Sequence, residues 1–266
     1  MERMRKETRP PAGAGSPADD PADDLIWGIN AVREALEQQA ATISEISIQQ
    51  GKGGPRLQQI IDLARERGIA VRFVEAARMR VPSHCRHQGV VARQSAARLL
   101  TLDDLLEHLG EAQAHPARIL ALDSIQDPRN LGSILRSALA AGFSHVIMTR
   151  ERSVPVTGTV ARTSAGAVAH LHLCQVVNLV DALNVLKERG FWIYGAVAEA
   201  EVASIYATDF SGSICLVIGS EGKGIRPLVR KQCDVLVTIP MRAAFNSLNA
   251  SAAAAIIMFE IARRFD

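Results

Sequence analysis

Residues 117–266 alternate between two hydrophobic patterns. Short apolar runs predict buried strands, and segments with an apolar residue every three or four positions predict helices. The predicted strands are Arg118–Asp123, His145–Thr149, His170–Cys174, Trp192–Val197, Ile214–Ile218 and Val235–Ile239. The predicted helices are Leu131–Ala141, Leu179–Glu188 and Ser247–Arg264. This alternation is typical of an α/β fold with a mainly parallel sheet covered by helices.

A smaller α/β unit is predicted over residues 25–94. Its strands are Ile43–Ile48, Ile69–Val74 and His87–Arg93, and its helix faces are Ile29, Val32, Ala35 and Leu36, then Leu57, Ile60, Ile61 and Ala64. Residues 95–116 contain one predicted helix, Leu102–Leu109, and we expect them to link the two units. Residues 1–24 have four of the eleven prolines and separate basic and acidic clusters, so we expect a disordered tail.

The composition is that of a globular chain, with 48% hydrophobic and 22% charged residues. This excludes a chain that is disordered throughout. No run of 18 apolar residues is present and the amino terminus lacks the apolar core of a secretory signal, so we expect no membrane span. The four cysteines are scattered without a C-x-x-C pair, which favours reduced thiols and a cytoplasmic location.

The first group of polar residues follows the strand that ends at Asp123, in the segment DSIQDPRNLGSILR. Asn130 is a candidate helix cap, and Gly132 would allow a close approach to the first helical turn. Arg136 lies one or two turns into the helix and can present a five-donor guanidinium to a ligand. The alternative interpretation is a cap followed by an ordinary surface arginine.

A glycine-rich loop, GSEGKG, follows the strand that ends at Ile218. It lacks the Ser or Thr of a Walker A phosphate loop, and Pro227 breaks the dinucleotide pattern G-x-G-x-x-G. Its backbone groups can still bind a small polar ligand, and Glu221 is its only carboxylate. A simple turn between a strand and a helix is the alternative.

The third group, TIPM and FNSLN, follows the last predicted strand. Ser247 or Asn249 can cap the helix that comes next, and capping alone would explain them. However, loops after parallel strands meet at one sheet edge, where α/β folds bind ligands, so the three groups together predict a pocket.

The sequence has no complete motif for a metal site or for a hydrolase. His84, Cys85 and His87 form the one metal-like cluster, but no distant second pair of ligands completes a zinc site, so we expect no metal. The sequence also lacks G-x-S-x-G, H-E-x-x-H and paired-carboxylate signatures, which disfavours hydrolases.

In order and spacing, the three groups resemble the motifs of the SpoU or TrmH family of ribose 2′-O-methyltransferases, members of the SPOUT class. The segments concerned are DPRNLGSILRSALAAG, LVIGSEGKGIRPLVRKQCD and IPMRAAFNSLNASAAAAIIMFE. WGINAVREAL and HQGVVARQ resemble the small amino-terminal domain of those members that methylate a guanosine of 23S ribosomal RNA. The resemblance extends from Leu25 to the carboxyl terminus.

The resemblance implies a sheet tied in a deep trefoil knot, with S-adenosyl-L-methionine as cofactor and no metal. It also implies a homodimer whose active site is completed across the interface, and an amino-terminal RNA-binding domain similar to a ribosomal-protein fold. The implied catalytic residues are Arg136, Asn130, Glu221, Ser247 and Asn249. The implied cofactor contacts, made largely by backbone groups, are Gly219, Ser220, Ile239, Met241 and Leu248.

The resemblance leaves two roles open for Arg136. It can activate the ribose hydroxyl as a base, although a guanidinium pKa above 12 makes neutral arginine costly at pH 7. Alternatively, it holds the adjacent phosphate and stabilises developing alkoxide charge, while the proton leaves by Glu221, phosphate or water.

RNA contacts are expected at local basic patches, because the net charge of +2 gives no global basic field. The candidates are Lys52 and Arg56, then Arg78, Arg80, Arg86 and Arg93, and in the larger unit Arg150 and Arg152. Each is also open to interpretation as an ordinary solvated side chain. Aromatic residues make up only 4% of the chain, which favours recognition of RNA shape and backbone over base stacking.

Two alternatives to a 23S ribosomal RNA enzyme stay open. The first is methylation of another ribosomal position or of a tRNA. The second is an RNA-binding assembly factor with weak catalysis, because Ala243 occupies a position that is commonly glycine in the family and its methyl group would crowd the cofactor loop.

Overall fold

The computed structural model describes residues 24–39, 42–79, 81, 86–111, 116–242 and 248–265. The predicted tail lies outside the described residues, apart from Asp24. So do Arg80, His84 and Cys85, together with Ala243 and Ser247 of the third motif.

The amino-terminal part forms a four-stranded sheet, here called the small sheet, with strand order β1-β4-β2-β3. Its elements are β1 (Leu25–Trp27), α1 (Ile29–Gln39), β2 (Ile43–Gln49), α2 (Pro55–Glu66), β3 (Ala70–Val74) and β4 (Val90–Gln94). Strands β2 and β3 are parallel, and the other two pairings are antiparallel. Val32 of α1 and Ile60 of α2 pack against Ile46 and Ala92 of the sheet, so both helices cover one face.

The remaining strands form an eight-stranded sheet, here called the large sheet, with order β10-β12-β9-β11-β6-β7-β8-β5. The strands are β5 (Leu99–Leu100), β6 (Arg118–Asp123), β7 (His145–Thr149), β8 (His172–Val176), β9 (Trp192–Ala196), β10 (Ala203–Ser204), β11 (Ile214–Gly219) and β12 (Val235–Thr238). Every adjacent pair is parallel. The predicted α/β fold with a mainly parallel sheet is confirmed.

Helices cover both faces of the large sheet. They are α3 (Leu102–Glu111), α4 (Pro128–Ala140), α5 (Gly158–Thr163), α6 (Leu179–Glu188), α7 (Pro227–Arg230) and α8 (Ala250–Phe265). Successive β6 residues point to opposite faces: Leu120 and Leu122 pack with α4, α5 and α8, whereas Ile119 and Ala121 pack with α3, α6 and α7. Burial on both faces is why these strands are continuously apolar rather than alternating. None of the described helices is long and apolar enough to cross a membrane.

The stretch predicted to link the two units contributes to the large sheet. Strand β5 pairs with β8, and α3 contributes Leu105 and Leu106 to the core on one face of that sheet. Strand β8 begins at His172 rather than His170, because a short 3₁₀ turn over Ala167–His170 precedes it.

Hydrogen bonds join the small sheet to α5. Asp24 accepts from Gln94 N through its backbone oxygen, at 2.7 Å, and from Gly158 N at the start of α5 through its carboxylate, at 3.3 and 3.4 Å. Just after β4, Ala96 N donates to Val156 O at 2.6 Å. The two ends of the small sheet's chain therefore bind the segment that leads into α5.

Candidate active site

The sheet register places the first two polar groups side by side. Strands β6 and β11 are adjacent and parallel, and their last residues, Asp123 and Gly219, are register partners. The segments that follow, which carry Asn130 and Glu221, therefore leave the sheet at the same edge.

Glu221 is the centre of a hydrogen-bonded network that contains Asn130 and Asn249. Asn130 Nδ2 donates to Glu221 Oε1 at 2.8 Å, and Asn249 Nδ2 donates to the same oxygen and to Asn130 Oδ1, the latter at 3.1 Å. The three residues come from the three sequence motifs. We call them the Glu221 network.

Asp127 caps the helix that carries Asn130. Its Oδ1 accepts from Arg129 N at 2.6 Å and from Asn130 N at 3.3 Å. The expectation that Asn130 is the cap is therefore wrong: Pro128 begins the helix, and an acidic residue before an N1 proline was the available signal. Because Asp127 satisfies the helix end, the side chain of Asn130 reaches Glu221 instead.

The close approach predicted at Gly132 is made by α5. A Cβ at this position would lie 2.6 Å from Thr163 Cβ and 3.0 Å from Val160 O. Such a distance to another Cβ is far inside van der Waals contact, so only glycine lets the two helices pack at this separation.

The glycine-rich loop folds back on itself. Ser220 N donates to Gly224 O at 3.1 Å, and Gly224 N donates to Ser220 O at 2.9 Å. A Cβ on Gly219 would lie 2.1 Å from the carbonyl carbon of Gly224, and Gly222 has a φ of +78°. Glycine is thus required both for the return of the chain and for its turn, and Glu221 is held just after Ser220.

A buried ion pair fixes the far end of this loop. Asp123 is fully buried at the end of β6, where it accepts from Arg226 N at 2.8 Å and from Arg226 Nε at 2.6 Å. The two residues are 103 positions apart, so no local pattern could have predicted the contact. The pair anchors the loop that carries Glu221 to the neighbouring strand.

Asn249 also caps α8, as one of the two sequence alternatives predicted. Its Oδ1 accepts from Ser251 N at 2.9 Å, Ser251 Oγ at 2.6 Å and Ala252 N at 3.3 Å. The same side chain therefore starts a helix with its oxygen and holds Glu221 with its nitrogen. Ser247, the other candidate, lies outside the described residues.

Arg136 lies on the exposed side of α4. It lies six positions after Asn130, which corresponds to about 9 Å along the helix and about 120° around it. Within the described part of the chain, no hydrogen bond or ion pair joins Arg136 to the Glu221 network.

The expected cofactor residues lie near the ends of strands β11 and β12. Gly219 ends β11 and Ile239 follows β12, and β9 lies between these two strands. Ile239 and Leu248 are half-buried, and Met241 is 40% exposed. Together they present apolar surface beside polar backbone at the edge where the Glu221 network lies.

No metal centre is found in the described ranges: they contain no group of three histidine, cysteine or acidic side chains placed to hold an ion. His87 instead accepts from Gly89 N through Nδ1, at 3.2 Å, which stabilises the turn before β4.

Two family profiles match the chain. Residues 117–259 match the SpoU rRNA Methylase family, and residues 25–100 match a profile described as RNA 2'-O ribose methyltransferase substrate binding. The two matches divide the chain as the large and small sheets do, apart from β5.

Similar proteins and structures agree with these profiles. The 23S rRNA (guanosine-2'-O-)-methyltransferase RlmB of Xanthomonas campestris pv. campestris is 44% identical over 240 residues, 90% of this chain and 96% of that protein. The Putative TrmH family tRNA/rRNA methyltransferase YacO of Bacillus subtilis is 38% identical over 91% of this chain and 96% of its own. The SpoU methyltransferase AviRb from Streptomyces viridochromogenes, solved in complex with AdoMet, has the same fold, with a TM-score of 0.55 at 21% identity, covering 90% of this chain and 89% of that one.

Proposed function

Because the chain belongs to the SpoU rRNA methylase family, we propose that it transfers a methyl group from S-adenosylmethionine to the ribose 2′-hydroxyl of a guanosine in 23S ribosomal RNA. The observation that carries the proposal is the Glu221 network, in which side chains from three separate motifs share hydrogen bonds. The ribosomal target is supported by the 44% identity to RlmB of Xanthomonas campestris, which extends over both sheets.

The residues at the site fit S-adenosylmethionine. Half-exposed Ile239, Met241 and Leu248 offer apolar contacts to the adenine ring and the methionine part of the cofactor, and backbone groups near Gly219 and Ser220 offer polar ones. When bound, this cofactor supplies an electrophilic methyl group on a sulfonium. The chain itself must aim the ribose oxygen along the carbon–sulfur axis and remove its proton.

Arg136 is the residue that we assign to the RNA substrate. Its guanidinium, with five N–H donors, holds the phosphate beside the reacting ribose and stabilises the charge that develops on the oxygen. The proton then leaves by Glu221, phosphate or water. The Glu221 network keeps its carboxylate and two amides fixed before the substrate arrives, which lowers the cost of organising the site.

A homodimer would bring Arg136 to a complete site. Helix α8 presents Ala252, Ile256 and Phe259 on one exposed side, and the side chain of Phe259 is 51% exposed. Helices α4 and α8 pack against each other, so a second copy that covers α8 would lie near α4, the helix that carries Arg136. We therefore propose that Arg136 of one subunit serves the Glu221 network of the other.

The trefoil knot stays a prediction, since the loop 243–247 lies outside the described residues. A cytoplasmic location is part of the same proposal, because that compartment holds ribosomal RNA in bacteria.

The test is transfer of labelled methyl groups from S-adenosylmethionine to an unmodified 23S ribosomal RNA transcript, with the product nucleotide mapped. We expect one ribose-methylated guanosine, lost in Arg136→Ala and Glu221→Gln. Arg189→Ala is the matched control, because Arg189 is also exposed but precedes β9 at the opposite edge of the sheet. Wild-type turnover by Arg136→Ala would contradict the assigned role.

The name of the similar protein YacO includes tRNA, which favours tRNA as a second candidate substrate. The same assay with tRNA transcripts separates the two substrates. Absence of S-adenosylmethionine binding in calorimetry would instead favour an RNA-binding assembly factor.

A further inference from the structure

A polar groove lies between the first turns of α1 and α2, on the helical side of the small sheet. Its volume is about 250 Å³, and it is lined by Ile29, Asn30, Arg33, Arg56 and Gln59. Two of the five lining residues are arginines and none is acidic. We propose that this groove binds backbone phosphates of the RNA substrate; the inference rests on the proposed function and adds a binding site remote from the Glu221 network.

The helix ends make the groove more positive. Neither α1 nor α2 has an acidic residue in its first turn, and the N-cap of α2 is Gly54, which has no side chain to cap the helix. The backbone N–H groups that follow Pro55 in the first turn of α2 therefore add their partial positive charge to that of Arg56. Arg33 and Arg56 line the same groove beside a helix start without a side-chain cap. Guanidinium and helix N–H groups are donors that phosphate oxygens accept.

One carboxylate is near Arg33, but it does not neutralise the groove. Glu37 lies 3.7 Å from Arg33 Nε, one helical turn away, and both side chains are more than half exposed. Exposed pairs of this kind are weak and exchange readily for a stronger partner. A phosphate, which accepts two parallel hydrogen bonds from a guanidinium, is such a partner.

Lys52 extends the positive surface beside the groove. Its side-chain stem packs on Gly89, where a Cβ would lie 3.0 Å from Lys52 Cγ. The neighbouring Gln88 accepts from Ile29 N at 3.0 Å, so this loop adjoins the start of α1. Lys52 therefore lies near the start of α1, where its charge adds to that of Arg33 and Arg56 and favours a phosphate backbone.

The arginines on the other face of the small sheet are less suited to this role. Arg72 and Arg93 flank Glu45, with Nε to carboxylate distances of 3.3 and 3.9 Å. Glu45 is mostly buried between them, so a carboxylate already occupies their donors. Arg56 and Arg93 are both candidate RNA contacts from the sequence, in separate groups, and the fold places them on opposite faces of the small sheet.

The salt dependence of RNA binding tests the groove. Arg33→Gln and Arg56→Gln are compared with the wild type for binding of an unmodified 23S ribosomal RNA transcript at several salt concentrations. Each variant should bind roughly tenfold more weakly, since it loses a charge-assisted hydrogen bond. The slope of log K against log salt should fall by about 0.7 to 0.9 for each phosphate that the variant no longer binds.

Arg65→Gln is the matched control, because Arg65 is exposed in the last turn of the same helix and the change removes the same charge. An unchanged slope in both groove variants overturns the inference while methyl transfer by the wild type upholds the proposed function. An equal effect of Arg65→Gln also overturns it, because the attraction would then be diffuse. If the wild type neither binds nor methylates the RNA, both proposals fail.

Discussion

Breaking the Asp123–Arg226 pair should destabilise the chain unequally, depending on which partner is removed. The Asp123 side chain is fully buried, whereas that of Arg226 is 35% exposed. Arg226→Ala leaves a buried carboxylate with its backbone donor but without the cation that neutralises it, and we expect a loss of about 3 to 5 kcal/mol in the free energy of unfolding. In Asp123→Asn the amide oxygen still accepts one hydrogen bond and Arg226 can turn to solvent, so we expect about 1 to 2 kcal/mol.

Urea unfolding followed by circular dichroism measures both values, provided that the m-value is unchanged. The exposed pair Arg230–Glu199 supplies the control: Glu199→Gln should leave the free energy of unfolding close to that of the wild type. Methyl transfer should fall in both pair variants, because the pair anchors the loop that carries Glu221. The reasoning would be refuted if Arg226→Ala lowered the free energy of unfolding by no more than Asp123→Asn does.

Three further predictions concern packing, capping and pH. Gly132→Ala should destabilise the fold by about 1 to 3 kcal/mol in thermal melts, because its Cβ meets Thr163 and Val160. Gly110→Ala in α3, which has open space around it, should be neutral or stabilising in the same melts. Asn249→Ser should keep the cap of α8, and with it the melting temperature, but should lose methyl transfer. Asn249→Ala should lower the melting temperature and also lose methyl transfer. Activity of the serine variant near that of the wild type would contradict the role of the amide. Burial beside His172 lowers the pKa of His145 to about 4, so the native imidazole stays neutral where the unfolded one, near 6.5, takes up a proton. The free energy of unfolding should therefore be highest above pH 6.5 and fall by up to about 3 kcal/mol as the pH falls to 4, and a curve that keeps this slope in His145→Gln would contradict the assignment.

Local sequence patterns predicted the elements that carry the site. Strands β6 and β7 and helix α6 have the predicted bounds, because each is an uninterrupted apolar run or a clear helical stripe between turn residues. The two-residue strands β5 and β10 and the short helices α5 and α7 were missed, since they span less than two periods of either pattern. Gly132 and Asn249 were predicted from the local requirements of a close approach and a helix cap.

The contacts that hold the site together have no local signature. Asn130 meets Glu221 across 91 residues, and Asp123 meets Arg226 across 103. The resemblance grouped Asn130 with Glu221, but only the fold gives the hydrogen bonds, and it leaves Arg136 apart from them within one chain. The Asp123–Arg226 pair was not predicted, because a buried strand end gives no indication of which distant cation will neutralise it.

The attachment of the small sheet to α5 has a mechanical consequence. Asp24 and Ala96 form hydrogen bonds with the segment that leads into α5. Helix α5 in turn packs against α4 so closely that a methyl group does not fit at Gly132. A close-packed contact transmits displacement with little compression. A tilt of the small sheet under the load of a bound RNA would therefore push α5 against α4 and shift the helix that carries both Asn130 and Arg136. The position of the small sheet and the alignment of Asn130 and Arg136 would in this way be coupled.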